Sequence, residues 1–161
     1  MANNVPKLIA KLSYELPNNA YEISDTLGHI GTDEIVNSMI DLLTHTDEEN
    51  RIIAARTLGL INLNGKALDP LLNAVQAKEN ASIAGDLLMA VEGFDLSTKF
   101  VAIFKLYLFG SFKVSNMAKE FLDYKEFDIT PRVIKKATKH WNHYCNNVKQ
   151  DDVFQLKKQE V

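Results

Sequence analysis

Apolar residues return in this chain every 30 to 32 positions, and a spacing of that size constrains the fold more than any single motif. The register is clearest around Ala54, Leu58 and Ile61. Thirty-one residues earlier stand Ile23, Leu27 and Ile30; thirty later come Ala84, Leu88 and Val91; a further thirty bring Val114, Ala118 and Phe121. The doublet Leu27-Gly28 returns as Leu58-Gly59. A second set keeps a spacing of 32: Val36, Met39, Ile40 and Leu43 become Leu68, Leu71, Leu72 and Val75, then Phe100, Ile103, Phe104 and Tyr107. Within each set the residues fall mostly three and four apart, which is one stripe of an α-helix. Two helices in so few residues leave only short connections, so neighbours run antiparallel.

The central unit runs from Thr46 to Val75. It carries Arg51, Ala54, Ala55, Leu58, Gly59 and Ile61, followed by Ala67-Leu68-Asp69-Pro70-Leu71-Leu72. This pattern resembles HEAT-type repeats, particularly the short variety of the phycobilisome lyases. Elsewhere the Arg51 column holds Ala20, Ala81 and Ser111. The expected fold is all-α: a right-handed α-α superhelix, a HEAT-like solenoid of about five helical hairpins. The array is expected over residues 1–147, with a C-terminal tail over 148–161 packed on the last repeat, as such arrays require caps.

Local signals place the helices. Val5, Leu8, Ile9 and Leu12 form a short amphipathic helix, ended by the turn Leu16-Pro17-Asn18-Asn19. A helix follows from about Ala20 to Ile30; Gly31-Thr32 breaks it, and Thr32 caps the next. Thr46 and Glu49 read as a capping box, and Asn62-Leu63-Asn64-Gly65 closes the helix they open. Pro70 is tolerated in a first turn, so the second helix starts or bends there. The stretch Thr98–Phe109 is apolar nearly all round; the repeat register makes it a helix rather than a strand. Thr130-Pro131 opens a last helix to about Asn146, carrying Val133, Ile134, Ala137 and Trp141, and Val153-Phe154-Gln155-Leu156 forms a small apolar core in the tail.

A chain of 161 residues fits one domain, and its single cysteine, Cys145, forms no internal disulfide, as expected in a reducing compartment. The start MANNVPKL lacks the features of a signal peptide, and the apolar run Phe100–Gly110 contains Lys105 and is too short to span a bilayer. The expected setting is cytoplasmic, without a membrane. Charge is distributed unevenly. No lysine or arginine lies between Lys11 and Arg51, where there are nine carboxylates. Residues 1–130 hold 18 acids and 11 bases, and residues 131–161 hold three and seven. Such asymmetry bears on partners rather than on fold.

In HEAT arrays the Ala54-type helices line the inner wall, so the resemblance puts Asp25, Arg56, Asp86 and Asn116, spaced 31, 30 and 30, in one column on a concave face. The column reads as a structural ladder in which Arg56 bridges two aspartates, or as a polar strip that a partner meets, flanked by Glu22, His29, Leu60 and Glu120. Both readings can hold together. His140 and His143 are three apart, but Cys145 turns to another face, so no metal is expected. Neither P-loop, G-x-S-x-G, H-E-x-x-H nor C-x-x-C occurs, and no catalytic residues or cofactor are expected. Arg132, Lys135, Lys136 and Lys139 form one solvated helix face, and the acidic first half opposes nucleic acid. The reading that follows is a non-enzymatic scaffold that grips a protein with a basic surface, such as a basic toxin it inhibits. The alternative, from the lyase resemblance, is a bilin-handling protein with a pocket near Phe100, Phe104, Tyr107 and Phe112.

Overall fold

The computed structural model describes residues 4–61 and 65–161. These residues form ten α-helices and no strand. Contacts divide the chain into two compact units, Met1–Asp95 and Leu96–Val161. The division falls in the irregular run after Met89, which holds Gly93 and Asp95.

The first unit holds α1 (Val5–Ser13), α2 (Ala20–Ile30), α3 (Asp33–Leu42), α4 (Glu48–Leu60), α5 (Leu68–Gln76) and α6 (Ala84–Met89). Helices α1 and α2, α3 and α4, and α5 and α6 pair as hairpins, and α2, α4 and α6 stack in one layer. The repeat register has a direct physical meaning here: Leu27, Leu58 and Leu88 are each fully buried. The glycine after the leucine lets the layer close. A Cβ on Gly28 would stand 2.6 Å from Leu60 Cβ, and one on Gly59 would stand 2.9 Å from the Ala90 carbonyl oxygen. In the third copy Met89 takes the glycine's place and is exposed.

Caps fall mostly where the local chemistry points. Gly31 closes α2 with φ of +62°, its N–H donating to Leu27 O at 2.9 Å. Thr32 Oγ1 accepts from Ile35 N at 3.4 Å. At α4 the capping box does not form: Asp47, one residue on, is the cap, and its carboxylate accepts from Glu49 N at 3.2 Å. Thr46 instead offers its carbonyl to the buried Arg51, whose Nη1 donates to His45 O at 2.7 Å and Thr46 O at 3.2 Å. Asn50, also buried, donates from Nδ2 to Leu12 O and Tyr14 O, both at 2.7 Å. Two side chains at the start of α4 therefore satisfy carbonyls of the α3–α4 loop and the end of α1. Pro70 is the third residue of α5, in its first turn. The turn read over Asn62-Leu63-Asn64-Gly65 lies mostly on 62–64, outside the described residues. Helix α6 keeps the register but is short, starting only at Ala84 after turns at 78–83.

The second unit holds α7 (Phe100–Phe109), α8 (Phe112–Tyr124), α9 (Pro131–Asn147) and α10 (Asp152–Glu160), with α8 and α9 both packed on α7. Caps come from Ser111, Thr130 and Asp151, whose side-chain oxygens accept from Val114 N at 3.3 Å, Val133 N at 3.2 Å and Phe154 N at 3.0 Å. The helix opened by Pro131 is not the last, because α10 follows it. Within α10 only Phe154 and Lys157 are buried; Val153 and Leu156 are more than half exposed, so the expected four-residue core reduces to one face. Phe154 stacks on Trp141 and Tyr144 at centroid distances of 6.3 and 5.9 Å. Lys157 Nζ donates to Tyr107 O at 2.6 Å and Leu108 O at 3.3 Å, carbonyls in the last turn of α7. Burial lowers the pKa of this lysine from its ordinary value.

The Tyr107 hydroxyl donates to Glu160. Burial, and then that hydrogen bond, raises the Tyr107 phenol far above the ordinary tyrosine range; burial also raises Tyr144. A group whose folded-state pKa is raised contributes stability that is complete below its unfolded value, about 10 for tyrosine, and lost as pH climbs through the folded value. In an absorbance titration of tyrosinate, Tyr107 should ionise last and together with release of α10. Tyr107→Phe should delete that step; a Tyr107 that titrates near pH 10 would mean that α10 does not dock as described.

Candidate functional site on the α2–α4–α6 layer

Glu22, Asp25 and His29 stand exposed on α2, Leu60 is exposed at the end of α4, and Asp86 is exposed on α6. Arg56 lies between them, half-buried and tied down on three sides. Its Nη2 donates to Asp25 Oδ1 at 2.7 Å, its Nη1 donates to Ser24 Oγ at 2.8 Å, and its guanidinium lies 5.1 Å from the centre of the Tyr21 ring. Behind it the buried Ser24 and Thr57 hydroxyls meet at 2.8 Å, and Thr57 Oγ1 donates to Ile53 O at 2.8 Å. The proton direction is consistent along this path: Arg56 to Ser24, Ser24 to Thr57, Thr57 to the α4 backbone. The α2–α4 half of the expected ladder is thus present.

This arrangement changes what the column offers. Asp25 is neutralised by Arg56, whereas the Glu22 carboxylate has no ion-pair or hydrogen-bond partner among the described residues. Tyr21, 62% exposed and braced by the guanidinium, is a large apolar-aromatic contact that periodicity passed over. Its place, four residues before Asp25 on one helical face, was the available signal. Asn116 and Glu120 are exposed on α8, in the second unit.

The second unit has its own features. The aromatic row Phe100, Phe104 and Tyr107 on α7, with Leu122, Ile134 and Trp141, lines a half-open cavity of about 470 Å³. Phe112, expected beside it, does not line it and is 82% exposed. The basic residues Arg132, Lys135, Lys136 and Lys139 are all exposed on α9. His143 faces the Phe109 ring and pairs through Nδ1 with Asn147 at 3.2 Å. No group of three or more His, Cys, Asp or Glu side chains among the described residues is placed to hold a metal ion. No helix among them is long and apolar enough to cross a membrane.

Stacked hairpins sharing one buried leucine column define an α-helical repeat protein. The model of HEAT repeats matches residues 5–92, more than half of the chain and nearly all of the first unit, and the chain belongs to the HEAT-repeat family. No curated protein and no solved structure matches it. HEAT repeats generally serve as scaffolds for protein interaction.

Proposed function

We propose that the chain acts by binding rather than catalysis, and that the exposed face of the α2–α4–α6 layer grips a partner protein with a basic surface. The observation that carries this reading is the pairing of a rigid aromatic-apolar contact with unopposed acidity. Tyr21 and Leu60 are exposed, Arg56 is internally neutralised, and Glu22 has no partner among the described residues. The charge of the first unit points the same way. Residues 1–95 hold 14 Asp and Glu against six Lys and Arg, a net of −8, while residues 96–161 hold seven against 12, a net of +5. Complementary charge speeds encounter and fixes register, and the aromatic anchor supplies affinity. A basic enzyme or toxin held inactive by the chain is the partner that fits best. A pigment with carboxylate side chains fits less well, because Lys119 in the lining of the cavity in residues 96–161 is taken by Asp123 and Glu160 leaves a net negative charge.

The test is affinity purification from the native host with the wild-type chain and with Glu22→Lys and Tyr21→Ala variants. A protein should be retained by the wild type, elute with rising salt, and bind at least about ten-fold more weakly to either variant, a loss of about 1.4 kcal/mol. Thermal unfolding of Glu22→Lys should shift only slightly, because an acid in the first turn of α2 contributes about 0.3–1 kcal/mol. Asp25→Lys is a poorer probe, since it also removes the pair with Arg56, worth up to about 1 kcal/mol. Equal retention by wild type and both variants would remove this face as the binding surface.

A further inference from the structure

We propose that the cavity of the second unit binds a small organic cation with an apolar body, such as an alkyl or aryl ammonium. Its volume of about 470 Å³ lies within the range of small-molecule sites. The wall on α7 is a continuous aromatic row: Phe100 stacks on Phe104 at 5.8 Å, and Tyr107 follows at 6.2 Å. Trp141, on α9, is also in the lining. Ring faces attract cations, most strongly when the cation is stripped of water. The charged groups of the lining are Lys119, Asp123 and Glu160. Lys119 is bound to Asp123 at 2.8 Å and so cancels one carboxylate. Glu160, which accepts from Tyr107, leaves the lining with a net of one negative charge. Lys157, outside the lining, already places its Nζ 4.9 Å from the centre of the Tyr107 ring, so Phe100, Phe104 and Trp141 are the rings left to a ligand cation. An anion would meet that charge without a free cation in the lining to offset it; a neutral apolar molecule would gain nothing from it. Aromatic walls with a carboxylate therefore select for positive charge on an apolar frame.

Trp141 is the only tryptophan of the chain, so its fluorescence reports occupancy directly. Three probes of equal chain length, kept below micelle-forming concentrations, separate the possibilities: decyltrimethylammonium, decanol and decanoate. The ammonium should change Trp141 emission saturably, with decanoate at least about ten-fold weaker and decanol between them. Glu160→Gln should weaken the ammonium about three- to ten-fold and leave decanol unaffected. Ala137→Phe, which places a ring in the cavity, should abolish the response while helicity and thermal unfolding are retained. No saturable response to the ammonium, equal or tighter binding of decanoate, an unaltered ammonium affinity in Glu160→Gln, or a persistent response in Ala137→Phe would each overturn the assignment.

Discussion

Leu58→Ala should lower the free energy of unfolding by about 2–5 kcal/mol, and Leu27→Ala and Leu88→Ala should each cost a similar amount. All three side chains are completely buried, one on each of α2, α4 and α6. Truncating each removes apolar surface from the same interface and leaves a cavity that packed helices fill only in part. Leu88 is the most informative of the three because α6 is short, so its helical hydrogen bonds alone hold it weakly. The neighbouring Met89 is 58% exposed, and Met89→Ala should stay within about 0.5 kcal/mol. Chemical denaturation followed by circular dichroism measures all four. A Leu88→Ala no more costly than Met89→Ala would remove α6 from the repeat.

Gly59→Val should be comparably damaging, at about 3 kcal/mol, for the opposite physical reason. A side chain there meets the Ala90 carbonyl oxygen at 2.9 Å and the Ala90 Cα at 3.1 Å. These are backbone atoms that cannot rotate aside, so the end of α4 must move away from the chain beside it. Overpacking of this kind costs about 1–3 kcal/mol, and valine's advantage over glycine in helix propensity, a few tenths, offsets little of it. Gly59→Ala decides the sign. Helix propensity favours alanine by about 0.5–1 kcal/mol, so a net loss shows that the close approach wins. Gly65 is the control: an added Cβ meets nothing within 4 Å, and Gly65→Ala should be neutral or slightly stabilising. Denaturation midpoints of the three variants check this; a Gly59→Ala more stable than the wild type would contradict the packing described.

The layer was readable from sequence because its strongest constraint is periodic. A fully buried leucine with a glycine at the point of closest approach writes the same two letters into α2 and α4. The helix over Phe100–Phe109 was readable for the same reason, although its composition also suits a strand. Other features depend on contacts that a repeat pattern does not encode. Asp47 displaced Thr46 as a cap, leaving the Thr46 carbonyl to accept from Arg51. The role of Arg51 itself is local: it holds the α3–α4 loop inside its own hairpin. At the candidate site, the column position of Asp25 and Arg56 was readable and its chemistry was not. Spacing placed them side by side, but only the geometry shows Asp25 neutralised and Tyr21 braced. The docking of α10 rests on a buried lysine, Lys157, in a segment whose polarity hides its one apolar anchor, Phe154.

The most direct measurement of in-register stacking is a double-mutant cycle between Gly28 and Leu60, residues of successive hairpins. The three atoms closest to a Cβ at position 28 all belong to the Leu60 side chain. Gly28→Ala alone should therefore destabilise, and Leu60→Gly should relieve the clash, giving a favourable coupling of about 1 kcal/mol or more. Effects of the two substitutions that add to within about 0.5 kcal/mol would show that the residues do not meet, and would contradict the stacked hairpins on which the proposed binding face depends.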